Sequence, residues 1–339
     1  MATITDLGFT WEDLRDSHRA GDVRMQVHPE FERLTIWNYT EETQYRNKWN
    51  KVTLACRGLI LDHITGDVVA RPWEKFFNFG QMDNRIESNA PVEVSDKMDG
   101  SLGILYEHPK YNYAIATRGS FASEQALEGT AMLHGMYRQD FANFEAAVDN
   151  FTVLFEIIYP QNRIVVNYGD QRDLVLLGAV NKRHGYYLGP QEAQGTLLWT
   201  GPVTEVWHYD RFVDALSAPD RKGKEGYVIR SGTNIVKLKQ ADYVELHRIV
   251  TNLSPKTVWE MLGAGKTAAD ICSDIPDEFH KYVEDISNEL EREASEIAYD
   301  VYVTHVKIVE SLGGPETYSR KQYAQAAVKY GDIKKYLFI

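Results

Sequence analysis

The chain has 339 residues and a mass of 38.8 kDa, with 43% hydrophobic, 12% aromatic and 25% charged residues, a composition that excludes a disordered or fibrous protein. Its 37 Lys and Arg stand against 49 Asp and Glu, giving a formal net charge of −12 and a pI near 5.4, so the surface as a whole should repel nucleic acid. Any phosphate chemistry must then rest on local positive charge.

Residues 1–6 open without a basic segment or a continuous apolar run, and no apolar run approaches the roughly 18 residues needed to span a bilayer. A soluble, untargeted protein with no membrane partner is expected. Cys56 and Cys272 are too few for a disulfide framework and lack the paired spacing of a zinc site, which points to a reducing, cytosolic setting. At roughly 100–200 residues per domain, the length predicts two domains or one large one with an appendage.

From about residue 51 to 250 the chain reads as short β-rich runs broken by turns: 52–62, 66–79, 92–96, 102–107, 113–117, 151–159, 174–180, 225–230 and 234–238. Between them, 123–150 carries apolar residues at helical spacing after a capping signal at Ser123. This predicts an α+β body. Past residue 250 the strand signals vanish, and helical patterns run over 256–262, 276–300, 301–312 and 318–330. The expected division is a domain over 1–250 and an all-helical domain over 251–339.

Charge is distributed unevenly. Residues 268–300 hold eleven acidic and two basic residues, a local −9, whereas 221–239 carry Arg221, Lys222, Lys224, Arg230, Lys237 and Lys239 against Glu225 alone. Most of the imbalance therefore lies on one helical stretch, and a phosphate ligand should approach the basic one, with the acidic helices pointing away or restricting what can dock.

The most informative segment is Asp96-Lys97-Met98-Asp99-Gly100-Ser101-Leu102-Gly103, a charged tight turn between two apolar runs. One reading is a surface hairpin in which Asp-Gly supplies the turn. The other is a lysine held at the mouth of a sheet as a nucleophile, which requires its pKa to fall by desolvation or by neighbouring cations. Three downstream segments bear on the choice. Phe155-Glu156-Ile157 puts a carboxylate in an apolar strand, Glu225-Gly226-Tyr227-Val228 starts another with a carboxylate, and Val236-Lys237-Leu238-Lys239 places two lysines on one strand face. Salt bridges from these lysines to Glu156 and Glu225 are the structural alternative, but buried pairs of this kind are seldom assembled for stability alone.

In order, Lys97-x-Asp-Gly-Ser-Leu, Phe155-Glu156, Glu225-Gly226-Tyr227-Val228 and Lys237-Leu238-Lys239 resemble motifs I, III, IV and V of the covalent nucleotidyltransferases, the superfamily of RNA ligases, DNA ligases and capping guanylyltransferases. Cys56-Arg57-Gly58-Leu59-Ile60, Arg71-Pro72-Trp73-Glu74-Lys75-Phe76-Phe77-Asn78, Thr117-Arg118-Gly119-Ser120, Ser123-Glu124-Gln125-Ala126-Leu127 and Pro160-Gln161-Asn162-Arg163-Ile164-Val165 are similar to signatures of the bacteriophage RNA ligase 1 family. That resemblance runs over about residues 50–250.

The resemblance implies a nucleotidyltransferase (ATP-grasp-like ligase) fold with antiparallel sheets and a helical C-terminal domain that sets RNA specificity. It also implies an ATP-dependent RNA ligase in which Lys97 takes AMP from ATP, AMP passes to an RNA 5′-phosphate, and an RNA 3′-OH displaces it. Lys97, Lys237, Lys239 and Glu225 are then catalytic. Asp99, Gly100 and Ser101 shape the turn, Arg57 and Lys75 hold the β- and γ-phosphates, and Arg118 stands where the family more usually has Lys. Lys237 and Lys239 contact the α-phosphate and depress the Lys97 pKa. Glu156 and Glu225 anchor the ribose and hydrated Mg²⁺ or Mn²⁺. Phe77 is either an aromatic wall near the nucleotide or core.

The implied partner is RNA with 5′-phosphate and 3′-OH ends, single-stranded or a cleaved tRNA anticodon loop in tRNA repair, in a host cytoplasm if the gene is a phage's. The oligomeric state stays open. Alternatives are a DNA ligase or capping enzyme, both of which normally append a β-barrel instead of helices, and a non-catalytic relative that binds RNA ends. Gly263-Ala264-Gly265-Lys266-Thr267 suggests a P-loop, but Glu260 occupies the position of its first glycine, so a helix C-terminal turn is expected. Tyr243 and His247 are read as a packed helix.

Overall fold

In a computed structural model, residues 2–80, 85–219, 221–239, 254–273, 280–315 and 317–338 are described. The chain divides into two compact units, Met1–Val244 and Glu245–Ile339. Tyr243 and His247 lie outside the described residues.

In the first unit, Thr10 and Asp13 bond each other's backbone amides, a reciprocal cap that opens α1 (Trp11–Arg19). Strands β1 (Val23–Val27) and β2 (Leu34–Tyr39), short helices α2 (Glu41–Tyr45) and α3 (Lys51–Ala55), and strands β3 (Arg57–Asp62) and β4 (Val68–Ala70) follow. The four strands form one antiparallel sheet in chain order. One set of its side chains, Val23, Trp37, Leu59 and Leu61, buries against Leu14 and Val52, and the alternate set, Leu34, Ile36, Ile60 and Ala70, enters a second core.

The strand expected over 52–62 thus begins as a helix, with its strand confined to 57–62. Asn50 accepts from the Thr53 amide at 3.0 Å while Thr53 Oγ1 accepts from the Asn50 amide at 2.8 Å, and this cap starts a helical turn that ends at Ala55. The run expected over 66–79 resolves into β4 and β5 (Phe77–Asn78), with Pro72 in the irregular stretch between them.

The remaining elements are β6 (Val92–Lys97), β7 (Ser101–His108), β8 (Asn112–Ala116), α4 (Glu124–Met136), α5 (Phe141–Val148), β9 (Phe151–Ile158), β10 (Asp173–Asn181), β11 (Tyr187–Leu188), α6 (Pro190–Leu197), β12 (Val206–Tyr209), α7 (Phe212–Leu216), β13 (Gly226–Ser231) and β14 (Asn234–Lys239). Ser123 caps α4 by accepting from the Ala126 amide, and the single helix expected over 123–150 is broken by a 3-10 turn at Arg138–Asp140. Two five-stranded sheets result, β11-β10-β9-β7-β8 and β12-β6-β13-β14-β5. Their strand pairs are antiparallel as expected, save β5 with β14, which is parallel.

The first of these sheets is covered on one face by the helices through Leu133, Phe144, Phe155 and Trp199, and on the other by the β1–β4 sheet through Ile104, Tyr106, Leu154 and Val180. The second buries Val92, Val94, Tyr227, Ile229 and Val236 against Phe212 and Ala215 of α7. The opposite face of that sheet carries the lysines.

The second unit is helical among its described residues: α8 (Pro255–Gly263), α9 (Ala268–Ser273), α10 (His280–Ser311), α11 (Arg320–Ala327) and a 3-10 stretch, Val328–Tyr336. Helix α10 runs unbroken through residues 300 and 301, where two helices were expected. Val258, Ile271, Val283 and Ile286 form one small core, and Ile308, Tyr323 and Ala327 another. Gly265, at φ +91°, follows the C-terminus of α8, so the glycine-rich segment is the expected turn. No described helix is long and apolar enough to cross a membrane.

Candidate active site

Lys97 ends β6, and Ser101 begins β7 in a different sheet. The turn at Met98–Gly100 is therefore a crossing between two sheets, and the hairpin reading is excluded. Burial along β6 alternates, with Val92, Val94 and Asp96 buried and Glu93, Ser95 and Lys97 on the other face.

The turn is fastened by the loop after β9. The buried Asp99 carboxylate accepts from the amides of Val165 and Val166 at 2.8 and 2.7 Å, while its own amide donates to the Tyr168 hydroxyl at 2.9 Å. Gly100 donates to Glu156 Oε1 at 2.9 Å, and a Cβ there would meet the Ile157 carbonyl oxygen at 2.6 Å. Asn162 accepts from Ser101 Oγ and donates to Ile157 O. A small cavity of about 120 Å³ opens beside the turn, lined in part by Asp99, Asn162 and Arg163.

Strand register gathers the charges. Lys97, Gly226 and Lys239 lie in one row across β6, β13 and β14, and Lys237 pairs with Val228 in the row two residues along. Gly226 sits at φ +148°, where any side chain would strike the Leu238 carbonyl oxygen, so only glycine lets β14 come this close. Glu225, just before the row and 3% exposed, takes one lysine on each oxygen: Lys97 Nζ at 2.5 Å from Oε2 and Lys239 Nζ at 3.3 Å from Oε1.

The other cations are differently placed. Lys237 has no carboxylate within ion-pairing distance among the described residues, and its amine lies 4.8 Å from the Phe76 ring centre, over which the Arg57 guanidinium also stands at 5.5 Å. Burial, reinforced by Arg57, Lys75, Lys97 and Lys239, pulls the Lys237 pKa down to about 6. Burial likewise lowers Arg57, whose Nη1 is enclosed without a hydrogen-bond partner. The Lys75 amine sits among the rings of Tyr39, Trp49 and Phe77 at 5.3, 5.4 and 5.5 Å, its basicity lowered by burial against the opposing pull of Tyr39. Arg118 donates to the Tyr39 hydroxyl at 3.1 Å. Arg57, Lys75 and Lys237 thus form a partly buried group of basic side chains in excess of its carboxylates. Burying unpaired cations costs stability, and a bound polyanion is what offsets that cost.

Burial raises the Glu156 carboxyl to about 8, with Lys97 pulling it back and Glu225 adding to the rise. Among the described residues, no group of three or more His, Cys, Asp or Glu side chains is placed to hold a metal ion. The buried pair Glu156 and Glu225 suits a hydrated Mg²⁺ or Mn²⁺ that takes one or two carboxylates together with phosphate oxygens, not a fully protein-caged ion.

Residues 55–244, more than half of the chain, match the model of the family described as RNA ligase. The chain belongs to the RNA ligase family. A protein of Autographa californica nuclear polyhedrosis virus is 31% identical over 186 residues, covering 46% of this chain and 26% of its own length. RNA ligase 1 of bacteriophage TS2126 is 27% identical over 201 residues, 54% of this chain and 49% of its own. The chain thus spans half or less of the length of these two relatives. A solved Naegleria gruberi RNA ligase mutant with ATP and Mn aligns at 16% identity and a TM-score of 0.40 over 48% of this chain and 52% of that one.

All ten residues named from the sequence, Arg57, Lys75, Lys97, Asp99, Gly100, Arg118, Glu156, Glu225, Lys237 and Lys239, fall in this one region of the ligase-family fold. The basic stretch 221–239 needs correction. Arg221 and Lys224 are spent on buried Asp96, Arg230 on Glu93 and Lys239 on Glu225, which leaves Lys237 and the exposed Lys222. Phe77 faces Lys75 and Trp49, and it is the Phe76 ring that both Arg57 and Lys237 approach. Tyr39, Trp49 and Tyr168 are not among the residues named from the sequence, and Asn162 enters there only as part of the signature at 160–165. Reading 34–39 as a strand exposes Tyr39, but nothing local marks Trp49 or Tyr168.

Proposed function

We propose that the chain is an ATP-dependent RNA ligase that works through a lysyl-AMP intermediate on Lys97. The observation that carries the reading is the Lys97 amine, seated against Glu225 at the edge of a partly buried group of basic side chains that outnumber the carboxylates beside them. A triphosphate supplies the missing negative charge.

In the first step the Lys97 Nζ lone pair forms a bond to the α-phosphorus and the bond to the bridging oxygen of the β-phosphate breaks. Pyrophosphate leaves and AMP stays on the amine. The proton shed by the lysine has an acceptor in Glu225 Oε2, 2.5 Å away. Arg57 and Lys75 are suited to hold the departing β- and γ-phosphates, and Lys237 and Lys239 to stabilise charge building on the α-phosphate. Lys237, largely neutral at pH 7 without ligand, would take up a proton as the anion enters. Glu156 and Glu225 would hold the divalent ion, which supplies charge neutralisation on the phosphates. The 5′-phosphate of RNA then takes AMP from Lys97, and a 3′-OH displaces AMP to close the phosphodiester.

The same reading extends to single-stranded ends or a cleaved tRNA anticodon loop as the RNA, with the helical unit as the specificity module. Family resemblance is the support for those two points. The test is incubation with radiolabelled ATP and Mg²⁺ followed by a denaturing gel. An acid-labile adduct that disappears in Lys97→Ala is expected, and an equally labelled Lys97→Ala protein would sink the reading. Labelling by GTP instead would favour a capping enzyme, and joining of a nicked DNA duplex but not of RNA single strands would favour a DNA ligase.

A further inference from the structure

We infer that Asp96 is a positioning residue for adenylation. It holds residues 221–224 against the strand that carries Lys97, so that Glu225 meets the lysine amine. The inference rests on the ligase reading above.

Asp96 and Lys97 are neighbours that point to opposite faces of β6, so Asp96 cannot touch a nucleotide bound at Lys97. It is 3% exposed, and each carboxylate oxygen takes one cation: Arg221 Nη2 lies 2.7 Å from Oδ1 and Lys224 Nζ 3.0 Å from Oδ2. The Arg221 guanidinium lies against both Trp207 and Tyr227, 4.7 and 4.4 Å from the ring centres, and donates to the Gly226 carbonyl at 3.3 Å. Residue 96 is also tied through its backbone, donating to Glu205 O at 3.0 Å and accepting from Thr204 Oγ1 at 3.1 Å. The Tyr227 hydroxyl, donating to Pro219 O, secures the far end of the same segment.

The purpose of the clamp follows from where its ends lie. Asp96 is one residue from the nucleophile and Lys224 one residue from the carboxylate that meets it, so the ion pairs behind the sheet fix both ends of the 2.5 Å Lys97–Glu225 contact in front of it. Glu225 comes from the connection between α7 and β13, outside the ladder, where hydrogen bonding between strands does not hold it. A surface salt bridge would hold such a segment weakly, whereas a buried carboxylate enforces its partners because losing one leaves charge uncompensated.

The test is single-turnover formation of the lysyl-AMP adduct by the full chain, comparing Asp96→Asn, Glu225→Gln and the double variant. Asp96→Asn should slow the step by about tenfold or more, and the double variant should be no slower than Glu225→Gln within about twofold, because a residue that acts through Glu225 has nothing left to position once that carboxylate is gone. Lys224→Met, which removes the more exposed arm, should show the same non-additivity with a smaller effect and serves if Asp96→Asn does not fold. Wild-type adduct rates in both variants, or losses that multiply with Glu225→Gln, overturn the inference alone. A wild-type protein that forms no Lys97-dependent adduct overturns the ligase reading, and this inference with it.

Discussion

Two groups of cations gather around strands β13 and β14 and differ in what surrounds them. Arg221, Lys224 and Arg230 each face a carboxylate, Asp96 or Glu93, while Arg57, Lys75 and Lys237 are enclosed by aromatic rings and by one another. Counted along the sequence, Arg221 and Lys237 look alike. In the fold one is already paired and the other waits for an anion, because among the described residues only the second group has basic side chains with no facing carboxylate. An anion site is located by the balance of charge at each buried point, and a residue count along a segment does not measure that.

The sharpest way to break this comparison is Lys237→Met. The amine is half-buried with no carboxylate partner among the described residues, so an apolar chain of similar length removes a desolvation cost instead of a partner. Adduct formation should fall by about 100-fold, while the melting temperature stays level or rises. The pH dependence has a definite sign. With its folded-state pKa depressed to about 6 from 10.5, Lys237 favours folding at high pH and that contribution is lost as pH falls toward 6. The variant's advantage over wild type is therefore greatest at or below about pH 6. A Lys237→Met protein that melts earlier and adenylates normally would place Lys237 with the structural cations.

Much of this was legible in the sequence, for identifiable reasons. Strand alternation placed Lys237 and Lys239 on one face, and the order of the lysine, glutamate and lysine-pair motifs brought all ten named residues to one region. The sequence did not reveal that β6 and β7 belong to different sheets, since a tight Asp-Gly turn between apolar runs fits a hairpin equally well. Nor did it reveal that Asp96 neutralises Arg221 and Lys224, because contacts across 125 and 128 residues leave no periodic trace. The N-terminal strands β1 and β2 were missed, although β2 is buried throughout, and with them Tyr39. Residues 52–55 were read as strand because Val and Leu outweighed the Asn50 cap that makes them a helix.

A smaller effect is expected from the buried acid. Glu156 has its pKa raised to about 8, chiefly by burial, so it favours folding below about pH 4.5 and that contribution is lost as pH rises through 8. Glu156→Gln copies the protonated form and keeps an acceptor for the Gly100 amide. Melting curves from pH 5 to 8.5 should show wild type losing a few degrees relative to the variant as pH rises. Parallel curves would mean that the carboxylate is ionised throughout and already balanced by Lys97, which would bring Glu156 into the same class as Glu225. Added Mg²⁺ and ATP should narrow the difference if Glu156 is ionised in the loaded site.

The smallest effect sharpens the comparison most directly. Lys222 belongs to the same basic stretch by sequence but is exposed, beside Arg221 and Lys224, which are held by Asp96. If the site is defined by buried, unbalanced charge, Lys222→Ala changes adduct formation by less than about twofold, because an exposed ammonium is screened by water and salt. Measured at about 50 and 200 mM salt, that ratio should stay flat for adenylation. A loss approaching tenfold that fades as salt rises would mean that ATP is drawn in by the summed field of the whole stretch 221–239, and the distinction between its paired and unpaired cations would lose its force for adenylation.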